Sequence, residues 1–221
     1  MEQQLELTHQ SVVREARISI LLMKLIISLS VVTTVSTLIE ISIYSAYSNE
    51  QLFLDLSYGE MIFILLRTYM NFLWIILNIM FIIMFLTWKH WTYKNLQIAK
   101  IQGLKHEPKW AACWYFIPIA GLIKPLIIMK EIWLATFYSQ GDKEWKNNKT
   151  PSPIIIWWLT FIIGISLFTK SFFRNDETIA SYKMDALYNL MAEPLLVVSG
   201  IYLIMIIRNI THTQETRLSR Y

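Results

Sequence analysis

Residues 69–88, YMNFLWIILNIMFIIMFLTW, run without one charged side chain. As an α-helix a run of this length covers ~30 Å at ~1.5 Å per residue, the thickness of a bilayer's hydrocarbon core. Three further stretches, 18–44, 153–169 and 187–207, are also predominantly apolar, their only charged residues being Lys24, Glu40 and Glu193. Backbone in hydrocarbon has to satisfy its own hydrogen bonds, so apolar runs this long restrict the chain to packed helices. The expected fold class is therefore all-α: an integral membrane helical bundle of four transmembrane helices in a single membrane domain over residues 1–221. Composition agrees, since 55% hydrophobic residues against 16% charged is more apolar than an average soluble domain.

The polar remainder organises around these spans. The first 17 residues carry Glu2, Glu6, Arg14, Glu15 and Arg17, unlike the short basic start of a cleavable signal peptide, and are expected to be retained. Within the first span, Lys24 can snorkel to one face and Glu40 can reach the opposite headgroups, so both read as edge markers. Residues 48–68, with Glu50, Asp55, Glu60 and Arg67, read as an outside loop containing a short surface helix. Residues 89–109 read as a basic helical extension that closes at Gly103. The stretch 110–123, WAACWYFIPIAGLI, is too short to span and is broken by Pro118 and Gly121, with Lys124 and Pro125 following. Helical spacing resumes over 126–138, so residues 110–138 are expected to form a re-entrant or interfacial element. Residues 139–152 read as a cytoplasmic linker and 208–221 as a cytoplasmic tail.

Orientation follows from the basic residues, which accumulate on the cytoplasmic side. Ten lysines lie between residues 89 and 152, at 89, 94, 100, 105, 109, 124, 130, 143, 146 and 149. The loop before the second span has only Arg67, and the loop after the third has Lys170, Arg174 and Lys183. Both termini are thus expected inside a cell membrane. A crossing by residues 110–138 would put Lys143, Lys146 and Lys149 outside, against that bias. The net charge of +4 is assigned to loops facing anionic lipid headgroups rather than to nucleic acid.

Several short words stand out: Phe85-Leu-Thr-Trp88, Asn95-Leu96, Pro108-Lys-Trp110, Trp114-Tyr-Phe-Ile-Pro118, Leu122 with Pro125, Met129-Lys-Glu131-Ile-Trp133 and Thr211-His-Thr-Gln-Glu-Thr-Arg217. Together they resemble a family of uncharacterised bacterial membrane proteins, domain of unknown function 4328. The resemblance implies a multi-pass architecture with a special cytoplasmic-side element, and no activity. Trp91, Thr92 and Gly121 depart from it, standing where Arg, Ala and Asn are expected.

Candidate chemistry is sparse. His9, His90, His106 and His212 fit no metal-ligand spacing, Cys113 has no companion thiol, and no Walker loop, GxGxxG or GxSxG occurs. No catalytic residue, metal or cofactor is assigned, and no enzyme activity is expected. Glu193-Pro194 reads first as a carboxylate near the outer interface beside a proline that starts the helix; a proton or ligand role and helix pairing are the alternatives. Asn71, Asn78 and Thr87 are expected to bond across helices. The expected binding residues are the family words, Trp88, Asn95, Pro108, Trp110, Trp114, Pro118, Pro125, Glu131 and Trp133, with Lys109, Lys124 and Lys130 available to lipid phosphate and Glu131 to one of these lysines. The function expected is non-catalytic binding of lipid or a membrane-protein partner; the alternative is a small oligomeric transporter or channel that uses Glu193.

Overall fold

The computed structural model describes residues 10–117, 119–139, 144–170 and 177–217. Among these, helices α1 Val13–Ser45, α2 Tyr58–Ile98, α3 Pro108–Cys113, α4 Lys124–Tyr138, α5 Ser152–Lys170 and α6 Ile179–Arg217 follow in order. Short 3-10 turns occupy Phe53–Asp55, Trp114–Phe116, Ala120–Leu122 and Glu144–Asn147. No strand occurs among the described residues; one antiparallel bridge joins Leu52 to Thr178. The four apolar runs fall in α1, α2, α5 and α6, each long and apolar enough to cross a membrane. The all-α bundle follows directly from the sequence pattern.

The chain divides into two compact units. The span unit comprises Leu22–Met80 and Trp157–Ile201; the motif unit comprises Met1–Leu21, Phe81–Ile156 and Tyr202–Tyr221. Within the span unit, small residues let backbones approach. A Cβ on Gly164 of α5 would lie 2.9 Å from Leu196 of α6, and one on Gly200 of α6 would lie 2.9 Å from the Met23 sulfur of α1. Such close approach replaces the hydrophobic drive that is missing between helices in lipid. Trp74 of α2 donates its indole N–H to Ser30 of α1 at 3.0 Å, and Ser199 of α6 donates to the Trp157 carbonyl of α5 at 3.1 Å. A cluster of Tyr44, Leu56, Ile64, Ile179 and Ala186 packs one end of this unit, where Ile179 N–H also bonds the Gln51 carbonyl at 2.9 Å.

The structure corrects several expectations here. Residues 48–68 are not a loop throughout, because α2 already begins at Tyr58. Arg67 therefore sits on a helix, and its guanidinium lies 2.6 Å from Glu40 of α1. Glu40 is thus no edge marker: only 5% of it is exposed, because partnering the guanidinium satisfies the carboxylate better than reaching outward. Tyr44 donates to the other Glu40 oxygen at 2.9 Å, and Arg67 donates to Thr37 at 2.7 Å. Pro194 lies inside α6 rather than at its start, so Glu193 is a buried mid-helix carboxylate. Asn78 and Thr87 bond back to the Trp74 and Ile83 carbonyls of their own helix rather than across helices. A carbonyl one turn back is always within reach of such side chains.

Candidate functional site

The family words converge in the motif unit, beginning where α2 ends. The helix was expected to run to Gly103, yet it stops at Ile98. Lys100 adopts a left-handed φ of 53°, its N–H bonds the Gln97 carbonyl at 2.9 Å, and Ile101 N–H bonds the Leu96 carbonyl at 3.1 Å. This paired pattern closes a helix early and turns the chain back, and a glycine is its usual occupant at the left-handed position. Gly103, at φ 89°, shapes the connection that follows. Pro108 then occupies the first turn of α3, where its missing N–H costs nothing.

The returning connection is captured by α4. Glu131 Oε1 accepts the Lys105 N–H at 2.6 Å and the Tyr93 hydroxyl at 3.1 Å. The same Tyr93 oxygen accepts the His106 N–H at 2.9 Å. His106 Nε2 stands 3.6 Å from Glu131 Oε2. Burial pushes the imidazole below its ordinary value and outweighs the pull of Glu131, while Lys124, Lys105 and Lys89 push the same way. Glu131 thus holds backbone and a phenol, and among the described residues it forms no ion pair with Lys109, Lys124 or Lys130, the partners open to it in the sequence. Tyr93, which the motif reading passed over, completes the network; its alternating partners Glu131 and His106 are not adjacent to it in the chain.

Beside this network lies a recess of about 230 Å³ lined by Lys105, Lys130 and Lys146. Glu131, Trp145, Leu134 and Ile127 complete its wall. Trp145 comes from the polar linker expected at 139–152, yet it is buried and donates to the Gln102 carbonyl at 3.1 Å. One aromatic in an otherwise charged linker was the available signal. Lys130 belongs to the expected lysine set; Lys109 and Lys124 do not line the recess. Lys124 instead places its ammonium 5.0 Å from the Trp114 ring centre.

Other family words fasten the unit together. Trp88 is buried and donates to Thr211 at 2.9 Å. Asn95 grips the backbone of Gln10 at both ends, accepting its N–H at 3.1 Å and donating to its carbonyl at 2.7 Å. Gln214 donates to the Thr92 carbonyl and to Thr136, Glu215 accepts the Val12 N–H at 3.0 Å at the start of α1, and Arg217 donates to the Phe137 carbonyl at 2.8 Å at the end of α4. Lys89, fully buried, reaches the Tyr115 hydroxyl at 3.0 Å. Trp133 stacks on Phe137 at 4.6 Å, and Trp110 lies 5.1 Å from Trp114. Pro125 is buried in the first turn of α4. Pro118 lies outside the described residues. Glu193 belongs to the span unit and is not part of this constellation.

A family model described as a domain of unknown function, DUF4328, matches residues 62–212. The chain belongs to that family. The DUF4328 match begins within α2 and ends within α6, and it takes in Tyr93, the recess and every expected binding residue. No match was found among curated proteins or among solved structures.

At Gly121, where a side chain was expected by resemblance, a Cβ would lie 3.2 Å from the Tyr115 carbonyl oxygen. Its N–H bonds the Ile117 carbonyl at 2.6 Å. That position serves a tight turn between Trp114–Phe116 and α4. Around the turn the side chains face outward: Ile119 is 81% exposed, and Leu122, Ile123, Ile127 and Trp110 are exposed too. Ile123, which caps α4, accepts the Ile127 N–H at 3.2 Å, so the two residues lie one turn apart.

Proposed function

We propose that this protein is a non-catalytic multi-pass protein of a bacterial cell membrane, with both termini cytoplasmic, whose 110–138 element dips into the cytoplasmic leaflet and binds lipid. The observation that carries this reading is the exposed apolar face of Ile119, Leu122, Ile123 and Ile127 on a turn anchored from behind by Lys89 and the buried part of α4. An apolar patch of this kind, with Lys124 next to Ile123 in the chain, matches an interfacial segment more closely than a surface facing water. The distribution of lysines favours the cytoplasmic side. Non-catalytic binding is favoured because the polar family residues are spent on structure: Glu131 and Tyr93 hold the 105–106 backbone, and Asn95 holds Gln10.

The test is a nitroxide at Ile119→Cys on a Cys113→Ser background in lipid vesicles. Collision with dissolved oxygen exceeding collision with a water-soluble nickel chelate is the expected result, and the reverse would overturn the membrane-dipping reading. Labelling of intact cells at Ser57→Cys but not at Lys146→Cys is expected from the proposed orientation.

A second reading, a small oligomeric transporter or channel, draws on one observation. Buried Glu40, Arg67 and Glu193 come from three helices of span character, and the Glu193 Oε2 atom has no hydrogen-bond partner. Intramembrane ionisable groups often mark pathways. Proton flux into liposomes that stops on Glu193→Gln would favour it over the first reading.

A further inference from the structure

We propose that the lysine-lined recess beside α4 is a binding site for the phosphomonoester headgroup of an anionic lipid, with an acyl chain following Ile127 and Ile123 away from it. This deepens the membrane-dipping reading and rests on it.

The charges carry the first step. Lys105 comes from the connection after α2, Lys130 from α4 and Lys146 from the turn at Glu144–Asn147, so three separate segments bring lysines to the wall of one cavity of about 230 Å³. None of the three forms an ion pair among the described residues. The recess contains one carboxylate, Glu131, whose Oε1 already accepts two hydrogen bonds. Three ammonium groups against one carboxylate leave the lining with two uncompensated positive charges. Like charges gathered in a partly enclosed space repel unless an anion joins them. A phosphomonoester carries roughly −1.5 to −2 near neutral pH and offers three acceptor oxygens, matching both the excess charge and the number of ammonium donors.

The apolar part carries the second step. Trp145 and Leu134 form largely apolar walls, the indole N–H being committed to Gln102 and the Trp145 ring centre lying 5.5 Å from the Lys146 ammonium. Ile127 belongs both to the recess and to the exposed apolar face, and Ile123 continues that face one turn earlier. A soluble phosphate ester would leave this face uncovered; a lipid uses both halves.

The experiment measures binding of dioctanoyl phosphatidate, dioctanoyl phosphatidylcholine and glycerol 3-phosphate to the full-length protein in detergent, by native mass spectrometry and by the shift in Tm. Phosphatidate is expected to bind at least roughly tenfold tighter than phosphatidylcholine, and the double variant Lys130→Gln/Lys146→Gln to lose about tenfold or more, the equivalent of one charge-assisted hydrogen bond. The wild-type affinity is expected to fall with rising salt, a readout that needs no variant. Equal affinity for phosphatidylcholine, an unaffected double variant or salt-independent binding would each overturn the proposal. Glycerol 3-phosphate binding as tightly as phosphatidate would overturn its lipid half and identify a soluble phosphate ester. The nitroxide at position 119 separates the two levels: immersed in lipid without phosphatidate selectivity, the recess proposal fails alone; exposed to water, the membrane-dipping reading fails as well.

Discussion

Removing the Glu131 carboxylate tests whether it, rather than general packing, holds the connection between α2 and α3. Its Oε1 is the acceptor for both the Lys105 N–H and the Tyr93 hydroxyl, and only 8% of the side chain is exposed. Glu131→Ala strands the buried Tyr93 hydroxyl at ~1–3 kcal/mol and removes the charge-assisted bond of the part-buried Lys105 N–H at ~1.5–3 kcal/mol, a loss of ~2.5–6 kcal/mol. Glu131→Gln keeps an acceptor oxygen and forfeits only the difference between charged and neutral bonds, about 1 kcal/mol each and ~2 kcal/mol together. The assay is denaturant unfolding in detergent followed by tryptophan fluorescence, with amide hydrogen exchange at Lys105 and His106 as the local readout. The expected order is wild type above Glu131→Gln above Glu131→Ala, with exchange at those two amides accelerated most in the alanine variant. Equal destabilisation by both substitutions, or unchanged exchange at Lys105, would refute the idea that hydrogen bonding to this carboxylate fixes the connection.

Three further outcomes follow from the same structure. His106 titrates below its ordinary value of 6.5 because of burial, so the folded protein binds fewer protons there than the unfolded chain. Its contribution to stability is full above 6.5 and is lost as pH falls through the depressed folded value; His106→Gln should flatten the pH dependence of Tm in that window, and an unchanged slope would contradict it. For the buried Glu40–Arg67 pair, Arg67→Met should cost ~3–5 kcal/mol by leaving a buried carboxylate without its partner, while Glu40→Gln/Arg67→Met should cost less than the sum of the single variants; additivity within ~0.5 kcal/mol in a double-mutant cycle would refute the pairing. Lys100→Gly should stabilise by ~1 kcal/mol, read as a higher unfolding midpoint, because the position has φ 53° and a side chain there is strained; a lower midpoint would show that the lysine makes a compensating contact.

Hydrocarbon imposes a simple rule on a polypeptide, and this chain's four helices were legible because of it. A backbone without water must satisfy itself, so four long apolar runs determined the all-α architecture and the number of candidate spans. The short words from Phe85 to Trp133 likewise determined family membership, since they depend on residue identity alone. The position of Glu131 among the important residues was also readable, but its partners were not. Tyr93, Lys105 and His106 reach it only because α2 closes early at Lys100, a left-handed residue that carries no glycine to announce it. Gly103, the visible signal, lies three residues too late.

The sequence by itself therefore determined which segments can enter a membrane, where basic residues accumulate and which family the chain joins. All of these depend on local composition and order. The tertiary structure alone decided which charges meet: Arg67 with Glu40, Lys105 with Lys130 and Lys146 around one recess, and Trp145 from a polar linker as part of its wall. Hydrophobic patterning acts over one or two helical turns, whereas these pairings join positions tens of residues apart through the direction in which each helix ends. That direction is set by a few backbone hydrogen bonds, which leave little trace in composition.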